Sequence, residues 1–412
     1  MNVGSILKYY RMKNNLTQAE LCDGICSVSH LSKIESNKYI PHSETLNELF
    51  NRMGIEWQQE MDIYEMWNAK LETFISYSVY YDLKSMETLY EELDKNEEYF
   101  QSTDLVNRYE LYKLRFYLFK QDVRRAKQQT TILKRLEPSF NDYEKNVSEV
   151  IYLMYDIFSQ NIESAEKRLE QIRESKERIP YLFEGELFYQ KAYLLHMRTL
   201  YEESSYYAEL AVDHYKQTCN YIRLLHAQIL LAINYTHRDF ILQADDLFKI
   251  VLRNSKMMEI DSLYQGALYN YSVLQNRRGL HHSAHELLSE LKSIVEPDTD
   301  YYKSVLIHLL HTSVEAEMDI SSLLAHLEEA NDRKKDPYTT IQITYFRKMK
   351  LSQQELLDYC EQTAFPFFVK HGYIGEARSI AWKLANYHRS LGNYEKADEF
   401  SLYHFVKGDE KS

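Results

Sequence analysis

LTQAELCDGICSVSHLSKIESNK occupies residues 16–38, and this stretch decides the fold of the N-terminal part of the chain. Thr17 precedes a helical pattern and Glu20 follows three residues later, a spacing at which two side chains satisfy the free backbone donors of a first helical turn. A second short helix follows and buries Leu31 and Ile34. The stretch therefore predicts two short helices joined by a tight turn, with polar side chains on the outer face of the second helix.

That outer face carries small polar and basic side chains, which the major groove of DNA accepts. We expect Gln18 either to hold a phosphate or to stiffen the second helix. Val28 is exposed in this register and is expected near a thymine methyl group. Asn37 and Lys38 follow the helix and are expected to position the domain on the DNA backbone. The predicted DNA-binding residues are Gln18, Ser27, Val28, Ser29, His30, Lys33, Asn37 and Lys38.

These residues resemble two known families at different levels of detail. Residues 17–21 (TQAEL) and 29–35 (SHLSKIE) resemble the helix-turn-helix of phage-repressor-like proteins. With residues 6–11 (ILKYYR) and 24–27 (GICS) included, the frame resembles the RNPP peptide-pheromone regulators of Gram-positive bacteria. The resemblance implies a cytoplasmic quorum-sensing transcription regulator that binds promoter DNA and is switched by a short re-imported signal peptide.

Composition predicts an all-α protein. The 412 residues include only 10 Gly and 6 Pro, too few turn formers for an all-β or α/β chain of this length. The N-terminus runs directly into a helical pattern, so no signal peptide is expected. No stretch approaches the roughly 18 apolar residues that span a bilayer. We therefore expect a cytoplasmic protein without a membrane partner.

Metal and catalytic sites are not expected. The cysteines at 22, 26, 219 and 360 are too few for a disulfide framework. The Cys22–Cys26 pair supplies two ligands where structural zinc needs a closed set, and the histidines at 281, 282 and 285 fit a solvated turn better than a metal site. Adjacent carboxylates do not face one another on a helix. We expect no cofactor and no enzymatic activity.

Charge is divided unevenly along the chain. Residues 1–54 carry a net charge near +1, whereas the whole chain carries −13, so the remainder carries about −14. A strongly acidic body repels the phosphate backbone of DNA. DNA contact should therefore be confined to the N-terminal domain and should need two such domains acting together.

A repeat follows residue 75. A mostly small or apolar anchor with partners four and seven residues later recurs every 39 or 40 residues, which is typical of stacked helical hairpins. The anchors are Met86, Ala126, Ala165, Ser204, Ala244, Ala284 and Leu323. Allowing one irregular hairpin between residues 338 and 370, the pattern predicts about nine tetratricopeptide-like hairpins in a right-handed superhelix. The predicted domains are residues 1–55 (helix-turn-helix), 56–74 (connecting helix) and 75–412 (repeats for peptide sensing and dimerisation).

The concave face of such a superhelix suits an extended peptide, and asparagine amides both donate to and accept from a peptide unit. The RNPP resemblance implies that asparagines clamp the peptide. The candidate peptide-binding residues are Arg223, Asn234, Tyr235, Tyr269, Asn270 and Asn386. Each of these side chains could instead cap a turn or fill a contact between hairpins.

Two functional interpretations remain open. The first is a peptide-switched regulator that binds double-stranded promoter DNA as a homodimer or higher oligomer, since operators are commonly two-fold symmetric. The alternative is a docking modulator of a response regulator in sporulation signalling, as in the Rap proteins, which carry the repeats without the helix-turn-helix. Docking could also be a second activity of the peptide-free form. The sequence leaves open whether peptide strengthens or weakens DNA binding.

Overall fold

The structure is a computed structural model that describes residues 3–174, 179–297 and 299–405. Every regular element among those residues is helical, which confirms the prediction of an all-α chain. The chain divides into two compact units, Met1–Val251 and Leu252–Ser412. No described helix is both long and apolar enough to cross a membrane.

Four short helices begin the first unit: α1 Val3–Lys13, α2 Gln18–Cys22, α3 Val28–Glu35 and α4 Ser43–Arg52. They surround a small core in which Leu7, Leu21, Leu31, Leu49 and Phe50 are fully buried. Leu31 and Ile34 are buried on α3, the recognition helix, as predicted.

The rest of the first unit is built from longer helices. These are α5 Trp57–Tyr80, α6 Leu83–Asp94, α7 Glu97–Gln101, α8 Val106–Phe119, α9 Val123–Leu136, α10 Asp142–Phe158, α11 Ile162–Glu174, α12 Tyr181–Met197, α13 Tyr201–Gln217, α14 Tyr221–His237 and α15 Ile241–Met257. Helix α5 packs against α6, α8 against α9, α10 against α11, and α12 against α13. Leu247 of α15 packs on Leu230 and Leu231 of α14. The unit boundary falls within α15.

The second unit continues the series of paired helices. Its helices are α16 Asp261–Arg277, α17 His281–Ile294, α18 Asp300–Glu315, α19 Ser321–Arg333, α20 Pro337–Leu351, α21 Gln353–Tyr359, α22 Phe365–His371, α23 Ile374–Ser390 and α24 Tyr394–Phe405. A π-helical turn, Cys360–Ala364, joins α21 to α22. Together with α20 these segments form the irregular hairpin predicted between residues 338 and 370. The described helices thus pair into nine hairpins, as predicted.

The predicted connecting helix needs correction. Helix α5 runs from Trp57 to Tyr80, six residues past the expected end, and it is the first helix of the first hairpin. Phe74, Ile75 and Val79 are buried in the core that α5 shares with α6 and α8, so there is no break at residue 75. At the other end, residues 406–412 of the predicted repeat domain lie outside the described residues.

The predicted anchors lie in the core with one exception. Those at positions 86 through 284 are at most 1% exposed. Leu323 is only half-buried, and the neighbouring Leu324 is 6% exposed. Leu324 stands 40 residues after Ala284, so the period persists while the anchor shifts by one position.

Candidate nucleic-acid interface and ligand pocket

Hydrogen bonds at their first turns fix where α2 and α3 begin. The Thr17 hydroxyl accepts from the Glu20 backbone N–H at 3.2 Å, and the Glu20 carboxylate accepts from the Thr17 N–H at 2.7 Å. This reciprocal pair confirms the predicted capping box. The Ser27 hydroxyl caps α3 by accepting from the His30 N–H at 3.2 Å. Ser27 therefore sets the start of the recognition helix.

A buried carboxylate supports α3 from behind. Glu35 is 7% exposed and accepts from Arg11 at 2.6 Å and 3.1 Å and from the Gln18 amide at 2.8 Å. The hydrogen bond to Glu35 raises the pKa of Arg11. Of the two roles expected for Gln18, the structure therefore supports stiffening of the recognition helix. Sequence reasoning missed Arg11 and Glu35 because they lie 24 residues apart.

The outer face of α3 is open to solvent. Val28 is 45% exposed, and Ser29 and Lys33 are exposed as well. The His30 ring contacts the Tyr39 ring at a centroid distance of 4.6 Å, which leaves His30 half-buried. Tyr39 is an exposed aromatic residue beside the predicted interface that the sequence reasoning did not include.

Asn37 is exposed and ties the end of α3 to α1, while its predicted role as a DNA-positioning residue stays a prediction. Its backbone adopts the left-handed conformation, with φ of 55°. Its side-chain oxygen accepts from the Gly4 N–H at 3.1 Å, and its amide donates to the Ser5 hydroxyl at 3.0 Å. A Cβ atom on Gly4 would lie 1.9 Å from the Ile34 carbonyl oxygen, so α1 and the end of α3 touch through backbone. Lys38, next in the chain, is exposed.

Glu60 joins the helix-turn-helix to the first hairpin. This α5 side chain is fully buried and accepts from the Tyr10 hydroxyl at 2.6 Å and from the Tyr99 hydroxyl at 2.8 Å. Burial raises the pKa of Glu60, against the opposing effect of the two hydrogen bonds. Helix α1 is thereby fixed to α5 and α7 by one side chain.

A cavity of about 430 Å³ opens between α10, α12 and α14, the first helices of three successive hairpins. Predicted residue Arg223 lines it and is 7% exposed. The other lining residues are Met154, Ile157, Phe158, Gln160, Glu186, Tyr189, Gln190, Tyr193 and Met197. Glu186 and Gln190 were missed because they lie in a largely apolar helix. From the sequence alone, two polar residues in such a helix are assigned to its exposed face, although here both are buried.

A buried ion pair forms the floor of this cavity. Arg115 of α8 is fully buried and donates to the two carboxylate oxygens of Glu186 at 2.8 Å and 2.6 Å. It also donates to the Ser78 hydroxyl of α5 at 2.8 Å. The charges of Arg115 and Arg223 lower the pKa of Glu186 although burial opposes them. The Arg223 guanidinium lies over the rings of Tyr81 and Tyr189, at 5.6 Å and 5.2 Å from their centroids.

Asn234 is not at a groove surface, which corrects its predicted role. It is fully buried, donates to the Ser204 hydroxyl at 2.7 Å, and lies with its side-chain oxygen 2.8 Å from Nδ1 of His196. It therefore joins α12, α13 and α14. Tyr235 donates its hydroxyl to Glu209 of α13 at 2.7 Å, also a contact within a hairpin bundle.

The second unit contains the other three candidates. The Tyr269 ring packs on His308 at a centroid distance of 4.9 Å, and burial raises the pKa of Tyr269. Asn270 donates to the Gly266 carbonyl of its own helix at 2.8 Å. Asn386 is exposed and accepts from Arg389 at 3.4 Å. The structure does not bring these three side chains together into one cluster.

A larger depression of about 710 Å³ lies along α9, α10 and α11. Its one arginine, Arg168, is already paired with Glu149 at 2.7 Å and Asp156 at 3.0 Å. The Arg223 cavity is therefore the stronger candidate for a ligand.

The N-terminal domain matches a known family, and the whole chain has a known relative. Residues 7–59 match the helix-turn-helix family model HTH_3. Over 425 aligned positions the chain is 22% identical to the transcriptional activator NprA of Geobacillus stearothermophilus, covering 94% of this chain and 99% of NprA.

Solved structures share the fold. The apo form of the quorum sensor NprR from B. thuringiensis has a TM-score of 0.67 and 16% identity, covering 82% of this chain and 97% of that one. NprR in complex with its cognate peptide NprX has a TM-score of 0.59 and 14% identity, covering 81% and 95%. A Rap protein complexed with Competence and Sporulation Factor has a TM-score of 0.66 and 14% identity, covering 82% and 97%. Together with the NprA match, these findings confirm the predicted resemblance to RNPP regulators, with a helix-turn-helix followed by tetratricopeptide-like repeats.

Proposed function

We propose that this RNPP-type chain is a quorum-sensing transcription regulator that binds promoter DNA through α3 and is switched by a short signal peptide held in its repeats. The observation that carries the proposal is the outer face of α3, where Val28, Ser29 and Lys33 are exposed while Glu35 holds the helix from behind. A helix supported in this way can enter the major groove without distortion.

Among the predicted contacts, Ser29, His30 and Lys33 are proposed to meet base edges or phosphates, and Val28 a thymine methyl group. Lys38 is proposed to contact a phosphate. Ser27 caps α3 with its hydroxyl, so its contribution is to set the start of the helix. The acidic charge of the repeats limits DNA contact to the first domain.

The peptide part of the proposal draws support from the repeat fold shared with NprR, whose structure is known with its cognate peptide NprX. We infer the same class of ligand for this chain, with the Arg223 cavity as its first contact site. The protein is proposed to act in the cytoplasm, without catalysis of its own. A homodimer is proposed because two helix-turn-helix domains are needed for a two-fold operator, and sedimentation velocity showing only a monomer with and without DNA would contradict it.

The test is fluorescence polarisation with labelled DNA from upstream of the protein's own gene neighbourhood. Binding is measured at fixed salt, with and without synthetic C-terminal fragments of any adjacent small reading frame. We expect peptide to change the affinity and Lys33→Ala to weaken binding and reduce the slope of log affinity against log salt by about one. The matched control is Lys370→Ala, an exposed lysine in the second unit.

The docking alternative is less well supported, because the first 59 residues include an intact helix-turn-helix with a capped and buttressed recognition helix. Absence of specific DNA binding in either peptide state, together with tight binding to a purified response regulator, would favour that alternative. Specific DNA binding that Lys33→Ala weakens would exclude docking as the principal activity.

A further inference from the structure

The Arg223 cavity holds more positive than negative charge. Arg115 occupies both oxygens of Glu186, which completes a bidentate ion pair. Arg223 lies 3.7 Å from Oε1 of Glu186, which is beyond hydrogen-bond distance. Glu186 is the one carboxylate among the residues that line the cavity. Two guanidinium groups thus share one carboxylate, and the three side chains are at most 8% exposed.

Within the described part of the chain, Glu186 is the carboxylate that acts on Arg223, and the other groups beside Arg223 do not balance this charge. Burial keeps the phenols of Tyr189 and Tyr215 neutral by raising their pKa values. Burial and the charge of Arg223 lower the pKa of His226 on the same helix to about 4, so that ring is neutral at physiological pH. An excess charge in a buried site is costly unless an anion compensates it. The cavity therefore favours a ligand with one negative charge.

Gln190 adds a second requirement on the ligand, which is a hydrogen-bond donor. It is 5% exposed and lines the same cavity. Its Nε2 donates to Oε1 of Glu186 at 3.0 Å, and since a carboxylate only accepts, this bond fixes the orientation of the amide. The Gln190 Oε1 atom is then buried without a hydrogen-bond partner. A buried acceptor of this kind needs a donor from the ligand.

The groups that set these two requirements are neighbours, because Gln190 and Arg223 both approach the same oxygen of Glu186. The same cavity also has an apolar wall, which is lined by Met154, Ile157, Phe158 and Met197. An anion, an adjacent N–H donor and an adjacent apolar group occur together at the C-terminal residue of a peptide.

We propose that this cavity binds the free C-terminal carboxylate of a short peptide. The carboxylate accepts from the Arg223 guanidinium, the amide N–H of the last residue donates to Oε1 of Gln190, and an apolar last side chain packs on the Met154–Phe158 wall. This inference rests on the proposed peptide-sensing function and specifies which end of the peptide the first unit holds. The other source of the same anion is an aspartate or glutamate side chain within the peptide.

Three synthetic pools of random heptapeptides separate these sources. The first has free C-termini and lacks Asp and Glu, the second is the same pool with amidated C-termini, and the third is amidated but contains Asp and Glu. Each pool is incubated with the full chain, and bound peptides are identified by mass spectrometry after gel filtration. We expect at least tenfold greater recovery from the first pool than from the second, with apolar last residues enriched.

Variants of the lining residues test whether the recovery of peptides depends on this cavity. Arg223→Met should abolish the preference for free C-termini. Gln190→Leu removes only the acceptor for the last amide N–H, so it should lower recovery from the first pool at least tenfold, and it tests the site even if the charge change at 223 prevents folding. The matched control is Arg238→Met, at the C-terminal end of the same helix and outside the cavity lining. Thermal unfolding confirms that each variant is folded.

The outcomes distinguish the two proposals. Equal recovery from the first and second pools would overturn the carboxylate assignment and leave peptide sensing intact. Recovery from the third pool alone would overturn the C-terminal assignment in favour of an acidic side chain. No recovery from any pool would overturn this inference and the peptide part of the proposed function together, while DNA binding stands on its own polarisation test.

Discussion

At the residue scale, the position of the recognition helix depends on Glu35. Its carboxylate is 4% exposed and holds Arg11, whose side chain is 13% exposed, together with Gln18. Removing one partner of a buried ion pair leaves the other charge unpaired, which costs about 3 kcal/mol. Glu35→Ala should therefore destabilise the helix-turn-helix by that amount. Hydrogen exchange of the α2 and α3 amides measures it, with the exposed Glu48→Ala as control.

A second prediction at this scale concerns pH. The pKa of His226 lies at about 4, against about 6.5 in the unfolded chain, because burial and the charge of Arg223 disfavour protonation. A depressed pKa adds stability that is fully present above pH 6.5 and is lost as pH falls towards 4. His226→Gln should remove up to about 3 kcal/mol of this dependence. Urea unfolding at several pH values checks it, and an unchanged pH slope relative to the exposed His282→Gln would contradict it.

The side chains at the two candidate sites show where sequence reasoning stops. The capping roles of Thr17 and Glu20 were predictable because they depend on residues three apart. The role of Asn234 was not, because Ser204 and His196, its partners, lie 30 and 38 residues away on other helices. The contact of Asn37 with α1 was not predictable for the same reason, since its partner Gly4 comes from the start of the chain.

At the element scale, the repeat was visible because its period depends only on which residues are apolar. The turns were harder to recognise, because most of them use the left-handed conformation without glycine. Examples are Gln121, Gln160, Thr199 and Glu317, with φ between 55° and 61°. The extent of α5 was also hidden, since the helix ends in a left-handed cap at Tyr81 rather than at a glycine or proline.

Two helical glycines provide a matched test of helix packing. A Cβ atom on Gly185 of α12 would lie 2.5 Å from the buried His214 ring, whereas one on Gly266 of α16 would meet nothing within 4 Å. Gly185→Ala should destabilise the chain by about 1–3 kcal/mol through overpacking. Gly266→Ala should stabilise it by about 0.5–1 kcal/mol through backbone entropy. Opposite shifts in thermal midpoint by circular dichroism are expected, and a Gly185→Ala midpoint that does not fall would contradict the packing at α12.

At the scale of the whole molecule, the recognition helix and the Arg223 cavity belong to the same compact unit. Helix α5 connects them. Near its start Glu60 holds Tyr10 of α1, and near its end Ser78 accepts from Arg115 beneath the cavity. Asn220, which caps α14 ahead of Arg223, also donates to the Val79 carbonyl of α5 at 2.9 Å. A ligand that shifts α14 or Arg115 therefore acts on the helix to which the DNA-binding domain is attached.

This arrangement predicts reciprocal coupling. If peptide changes the affinity for operator DNA by some factor, DNA must change the affinity for peptide by the same factor. Tyr10→Phe removes the hydrogen bond between α1 and Glu60 while leaving both binding surfaces intact, so it should reduce that factor at least threefold with each separate affinity nearly unchanged. Calorimetric titration of peptide with and without operator DNA measures the coupling factor. The control is Tyr235→Phe, which loses a hydroxyl contact to Glu209 away from α5. An unchanged coupling factor in Tyr10→Phe would show that the signal does not pass through Glu60.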